Sequence, residues 1–204
     1  MTGYEVEHSE QIYGGRVISL VRDTVRMPDG YSAVREVVTH PGAAVVVALD
    51  EADRVVLVRQ YRHPVRGYLW ELPAGLLDVE GEPALDSAAR ELAEEAGLTA
   101  ARWDTLLDLR SSPGFSDEAV RVYLARELSD VAETERYVGE HEESDLTVER
   151  HDLDEAVGWA LAGRMENAAA VAGVLATYVA RARGYADLRA ADSRWSAKPE
   201  RTGA

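Results

Sequence analysis

AGLLDVEGEPALDSAARELAEEAGL, residues 74–98, is the stretch that decides how this chain is read. In its second half Leu85, Ala88, Ala89, Leu92, Ala93 and Ala96 recur at the spacing that turns one helical face toward a core. That spacing predicts a helix whose other side carries Glu91, Glu94 and Glu95. Pro83 suits the first helical position, where its missing N–H costs nothing, and Gly97 suits the left-handed residue that closes a helix.

Glu91 and Glu95 stand four apart, so their carboxylates stack one turn from each other, and like charges at that spacing cost roughly 0.2–0.5 kcal/mol. A cation reverses that cost. Carboxylates converging with a loop carbonyl supply the hard oxygen ligands that Mg²⁺ or Mn²⁺ prefers. For a Glu-rich helix taken alone, a solvated acidic face is the plainer reading.

The surrounding residues change the balance. Glu82 is followed by seven residues and then by Arg90-Glu91-Leu92-x-Glu94-Glu95-x-Gly97-Leu98. This resembles the second part of the signature of Nudix hydrolases, with one departure: Gly75 lies seven residues before Glu82, one more than the signature places there. The resemblance implies that Glu91, Glu94 and Glu95 ligate Mg²⁺ or Mn²⁺, that the Ala74 carbonyl adds a ligand, and that Arg90 and Glu82 orient the site. It also implies an α/β fold, a Nudix α/β/α sandwich with a mixed sheet, here preceded by a small N-terminal antiparallel β domain.

With 204 residues the chain is long enough for a real core in one domain or slightly more. A formal charge of −15 argues against nucleic acid or an anionic membrane as partner, whereas a small phosphorylated substrate is compatible if a divalent ion offsets the repulsion. The absence of cysteine excludes disulfides, thiolate zinc sites and cysteine nucleophiles. No apolar run approaches the ~18 residues of a membrane span and no basic-then-apolar leader opens the chain, so the expectation is a cytoplasmic protein.

Along the chain, residues up to about Gly15 show no strong period. Val17–Met27 and Tyr31–Thr39 flank the turn Pro28-Asp29-Gly30 and predict a hairpin too small to stand alone in water. Ala43–Leu49 is a continuous apolar run of the kind buried on both faces. The strand Arg54–Tyr61 turns polar at its end, where Arg59, Arg62 and His63 read either as an ordinary charged strand end or as a clamp for phosphate oxygens. Trp70–Gly75 is expected to enter the site as a strand end. Trp103–Leu109, Val120–Ala125 and Leu146–Arg150 are further strands, and 111–117 is a loop. The acidic, aperiodic stretch 127–145 reads as a linker unless it is functional. Asp152 with Glu155 resembles a capping box for a helix to Leu161, and Asn167 can cap a last helix ending near Gly184. The domain expectation is therefore an N-terminal β hairpin over 1–41, a catalytic domain over 42–186 and a loose tail over 187–204.

Outside the signature the chain resembles the ADP-ribose pyrophosphatase subfamily. The likeness rests on the N-terminal hairpin, Val58-Arg59-Gln60-Tyr61-Arg62, Asn167-Ala168-Ala169, and Pro113 standing fifteen residues after Leu98. It implies metal-dependent hydrolysis of ADP-ribose to AMP and ribose 5-phosphate by activated water, and a homodimer whose N-terminal domains exchange. Arg62 would meet phosphate, Arg35 would reach in from the N-terminal domain, and Arg59, Pro113, Gly114, Phe115 and Glu118 would lie near the substrate. The base falls on a loop glutamate: Glu142 fits best, with Glu140 and Glu143 close enough to compete. The alternatives are another nucleoside diphosphate sugar as substrate, or a non-catalytic ADP-ribose sensor.

Overall fold

The computed structural model describes residues 4–132 and 145–196. Its first element is β1 (Glu5–Gly14), paired antiparallel with β2 (Ser19–Arg26), which in turn pairs with β3 (Ser32–Thr39). The expected hairpin is thus part of a three-stranded sheet. β1 carries no clear period because every residue in it is exposed, so no buried face imposes alternation.

The remaining strands are β4 (Ala43–Ala48), β5 (Arg54–Arg62), β6 (Gly67–Glu71), β7 (Ala74–Leu76), β8 (Leu98–Arg110), β9 (Ala119–Asp130), β10 (Thr147–Asp152) and β11 (Arg189–Ala190). The helices are α1 (Ala84–Ala96), α2 (Leu153–Leu161) and α3 (Ala168–Ala182). One sheet runs β11-β8-β9-β4-β7 and is mixed: β4 lies parallel to β9, and the other pairs are antiparallel. A second, antiparallel sheet runs β10-β5-β6.

β4 explains the layering. Ala44, Val46 and Ala48 share a core with Ala88 and Leu92 of α1, while Val45, Val47 and Leu49 share another with Leu153 and Trp159 of α2 and Ala170 and Val174 of α3. A strand clothed on both faces has no polar alternation, as its sequence anticipates. The architecture is therefore the expected α/β/α sandwich with an antiparallel N-terminal sheet.

Several boundaries differ from the sequence reading. β8 begins directly after Gly97 and β9 runs on to Asp130, because Leu98–Ala100 pairs with Asp130–Leu128. Part of the acidic stretch is thereby strand. Asp152 makes no capping bond through its side chain; the Leu153 N–H instead donates to the Asp53 carbonyl, and Glu155 lies 3.5 Å from His151 Nδ1. Asn167 does cap α3, accepting from the Ala170 N–H at 3.0 Å.

The loose tail is a correction as far as Trp195. β11 pairs with Thr105 and Asp104 of β8. Buried Arg121 donates to the Ser193 carbonyl at 2.6 Å, and its guanidinium lies 4.9 Å from the Trp195 ring. The segment is held through its backbone carbonyls, which a composition of small and charged side chains does not reveal. Among the described residues no helix is long and apolar enough to cross a membrane.

Candidate active site

α1 presents the acidic cluster. Pro83 is its N-cap rather than its first residue, and Gly97 closes it at φ +64°, donating its N–H to the Ala93 carbonyl at 3.1 Å. Ala88 and Leu92 are buried, which turns Glu91, Glu94 and Glu95 to the rim of the core, where each is half-buried. Arg90 gathers the neighbouring carboxylates. Its Nε donates to Glu82 Oε1 at 3.1 Å, and Nη1 donates to Glu91 Oε1 at 2.7 Å and to Glu94 Oε2 at 3.0 Å. The bond to Glu82, partly offset by burial and reinforced by Glu91, pushes the arginine's pKa further up. In return, that bond holds Glu82 below the ordinary glutamate range. Arg90 and Glu82, named together in the sequence, are thus joined by a direct ion pair.

β7 closes the site from above. The Ala74 N–H donates to Glu95 Oε2 at 2.9 Å. A Cβ at Gly75 would overlap the Glu91 side chain as it lies here, so glycine lets that carboxylate rest directly against the β7 backbone. The one-residue-longer loop closes in a turn before α1, with the Glu82 N–H donating to the Val79 carbonyl at 3.2 Å.

This donor set fits a hard divalent ion: the carboxylates are all oxygen ligands, and the Gly75 contact brings the Ala74–Gly75 backbone onto them. Among the described residues no three His, Cys, Asp or Glu side chains converge closely enough to hold an ion, and Arg90 Nη1 bonds both Glu91 and Glu94.

The cations of β5 separate. Arg59 and Arg62 are three residues apart on a regular strand and therefore lie on opposite faces. The Arg59 guanidinium sits 4.8 Å from the centre of the Tyr68 ring. Arg62 is gripped by Glu71, which the sequence reading passed over: Nε donates to Oε1 at 2.9 Å and Nη2 to Oε2 at 2.7 Å. Arg35 is exposed on β3 and donates to the adjoining Val34 carbonyl at 2.9 Å.

The loop carrying Pro113, Gly114 and Phe115 docks on the end of β3. The Val38 N–H donates to the Phe115 carbonyl at 2.8 Å and the Asp117 N–H to the Val38 carbonyl at 3.1 Å. The Phe115 side chain stays 59% exposed. Beyond the loop, Glu118 Oε1 lies 3.7 Å from His40 Nδ1. Glu140, Glu142 and Glu143 lie outside the described residues.

The profile of the NUDIX domain family matches residues 38–172. The chain belongs to the NUDIX family. This NUDIX chain is 47% identical over 196 residues to the ADP-ribose pyrophosphatase of Mycobacterium tuberculosis, covering 96% of this chain and 93% of that one. It is 39% identical over 149 residues to the methanol dehydrogenase activator of Bacillus methanolicus, covering 73% and 78%. A solved structure described as an ADP compounds hydrolase superposes with a TM-score of 0.76 at 20% identity, over 90% of this chain and 97% of that one, which attests the shared fold. NUDIX hydrolases generally use divalent metal ions, in keeping with the oxygen donors on α1.

Proposed function

We propose that this NUDIX protein is a hydrolase that cleaves the diphosphate of ADP-ribose to AMP and ribose 5-phosphate. The observation that carries the reading is the placement of Glu91 and Glu95 of α1 against the Ala74–Gly75 backbone, with Glu94 beside them on Arg90, in an otherwise strongly acidic protein. Similarity to an ADP-ribose pyrophosphatase along 96% of the chain supports that substrate over other nucleoside diphosphate sugars. The ligand set is Glu91, Glu94, Glu95 and the Ala74 carbonyl, and Mg²⁺ or Mn²⁺ held there supplies the positive charge that neutralises the diphosphate.

The chain's own residues do the rest. Arg62 meets the phosphate oxygens. Water adds to one phosphorus, the bridging P–O bond breaks, and the water's proton passes to a carboxylate. The α1 glutamates are poor bases for that step, since carboxylates engaged by a cation have lowered basicity. We assign the base to Glu142, with Glu140 and Glu143 as the competing choices.

The chain acts as a homodimer in the cytoplasm, with residues 1–41 crossing to the second copy and Arg35 serving the partner's site. Supporting this, the N-terminal sheet leaves Tyr4, Val6, Tyr13, Tyr31 and Val34 exposed within one copy.

The test is a hydrolysis panel of nucleoside diphosphate sugars with Mg²⁺ or Mn²⁺ and identified products. ADP-ribose yielding AMP and ribose 5-phosphate is expected, and a preference for GDP-mannose or metal-independent binding without turnover overturns the reading. In the same assay the base should lose about 10²–10⁴-fold in kcat on Glu→Gln substitution. Near-native kcat from Glu140→Gln, Glu142→Gln and Glu143→Gln alike removes the base from this loop.

A further inference from the structure

The pair of Arg62 and Glu71 is asymmetric. The Glu71 side chain is 4% exposed, whereas that of Arg62 keeps 43% of its surface open. An ion pair that merely stabilised a core would gain little here, because taking a carboxylate out of water costs about what the pairing returns. Two parallel bonds do give direction: a guanidinium gripped through Nε and Nη2 cannot rotate about its own axis. They hold one edge of the fork, while the side chain as a whole stays half-exposed.

Glu71 is also well placed in the chain. It begins the run Glu71-Leu72-Pro73-Ala74, whose far end is the Ala74 N–H bonded to Glu95 Oε2 at 2.9 Å. Between the two, the Pro73 carbonyl accepts from the Val46 N–H of the core strand at 2.8 Å. A single short segment, pinned to β4, therefore holds the β5 cation at one end and an α1 carboxylate at the other. Arg59 cannot share this role, since it lies on the opposite face over Tyr68.

We propose that Glu71 is a positioning residue that aims the Arg62 guanidinium at the substrate's diphosphate and sets its spacing from the α1 carboxylates. This rests on the reading above in which Arg62 meets the phosphate oxygens. Glu71 touches neither water nor phosphate in the reaction; it acts through Arg62.

The test is a double-mutant cycle on ADP-ribose hydrolysis with Mg²⁺, using Glu71→Gln, Arg62→Ala and the double variant, with a melting curve for each. Glu71→Gln keeps the side chain's shape but loses the charge and one acceptor, and is expected to lower kcat/KM on the order of tenfold, the cost of one charge-assisted hydrogen bond. In the Arg62→Ala background the same change is expected to cost nothing further. A merely structural glutamate would cost the same in both backgrounds, so additivity overturns the proposal, as does wild-type kcat/KM from Glu71→Gln. Arg62→Lys serves if Glu71→Gln melts early: a point charge without a fork is expected to fall nearly as far as Arg62→Ala, and wild-type activity from it overturns the proposal. Arg62→Ala at wild-type kcat/KM instead refutes the phosphate role of Arg62 itself, a separate result from an active-site arginine that does not need Glu71.

Discussion

The N-terminal sheet and the β4–β9 pair are both strands rich in valine, yet they solve burial in opposite ways. No residue of β1, β2 or β3 is buried, while every residue of β4 after Ala43 is. β4 has α1 on one face and α2 with α3 on the other, so its position is set by two cores at once. The N-terminal sheet meets the loop after β8 through backbone bonds between Val38 and the pair Phe115 and Asp117. The acidic site sits on the first kind of framework. The surface that would reach another copy sits on the second. A site needing fixed geometry belongs on elements with no alternative packing, whereas a sheet without a core of its own is suited to taking its burial from a partner.

The comparison can be broken most sharply at the site itself. Glu95→Gln is expected to lower kcat on ADP-ribose by about 10² or more while leaving the melting temperature nearly unchanged, because Glu95 lies at the rim and not in the core. Wild-type turnover at limiting Mg²⁺ would remove α1 from the chemistry. In the body, Leu92→Ala empties a fully buried position on the same helix and should cost about 2–5 kcal/mol in denaturant unfolding.

In the N-terminal sheet the same class of change should do little to one copy. Val34→Ser, at a position 56% exposed, is expected to alter monomer stability by less than about 0.5 kcal/mol yet to weaken self-association in sedimentation. A large loss of monomer stability would mean that the sheet has a core of its own. The smallest effect concerns acid. The Arg90 bond holds Glu82 below the ordinary glutamate range, so its stabilisation is full above the unfolded carboxylate's pKa and is lost as pH falls through the lower folded value. Glu82→Gln should therefore melt below wild type at neutral pH, and the two curves should meet in acid.

Which parts were legible follows from how each residue finds its partners. α1 was readable because its apolar stripe and its carboxylates are neighbours in sequence, set three and four apart. β4 was readable because burial on two faces leaves an uninterrupted apolar run. β1 was not, having no buried face to impose a period, and Asp152 misled because Leu153 takes its bond from Asp53, about a hundred residues earlier in the chain. At the site, Glu91, Glu94, Glu95, Arg90 and Glu82 all lie within one short stretch; Arg90 bonds Glu82, Glu91 and Glu94, and Glu95 accepts from the Ala74 N–H.

By itself, the sequence determined the acidic helix and its oxygen donors, since these depend on local periodicity and on residue type, and the α/β class followed from the resemblance of its signature to that of Nudix hydrolases. Only the tertiary structure decided that Arg62 faces Glu71 while Arg59 turns to Tyr68, that Gly75 lies against the Glu91 side chain, and that the segment up to Trp195 is strapped to Arg121. Each of these depends on which distant backbone or side chain arrives alongside, and strand register and sheet order set that arrival.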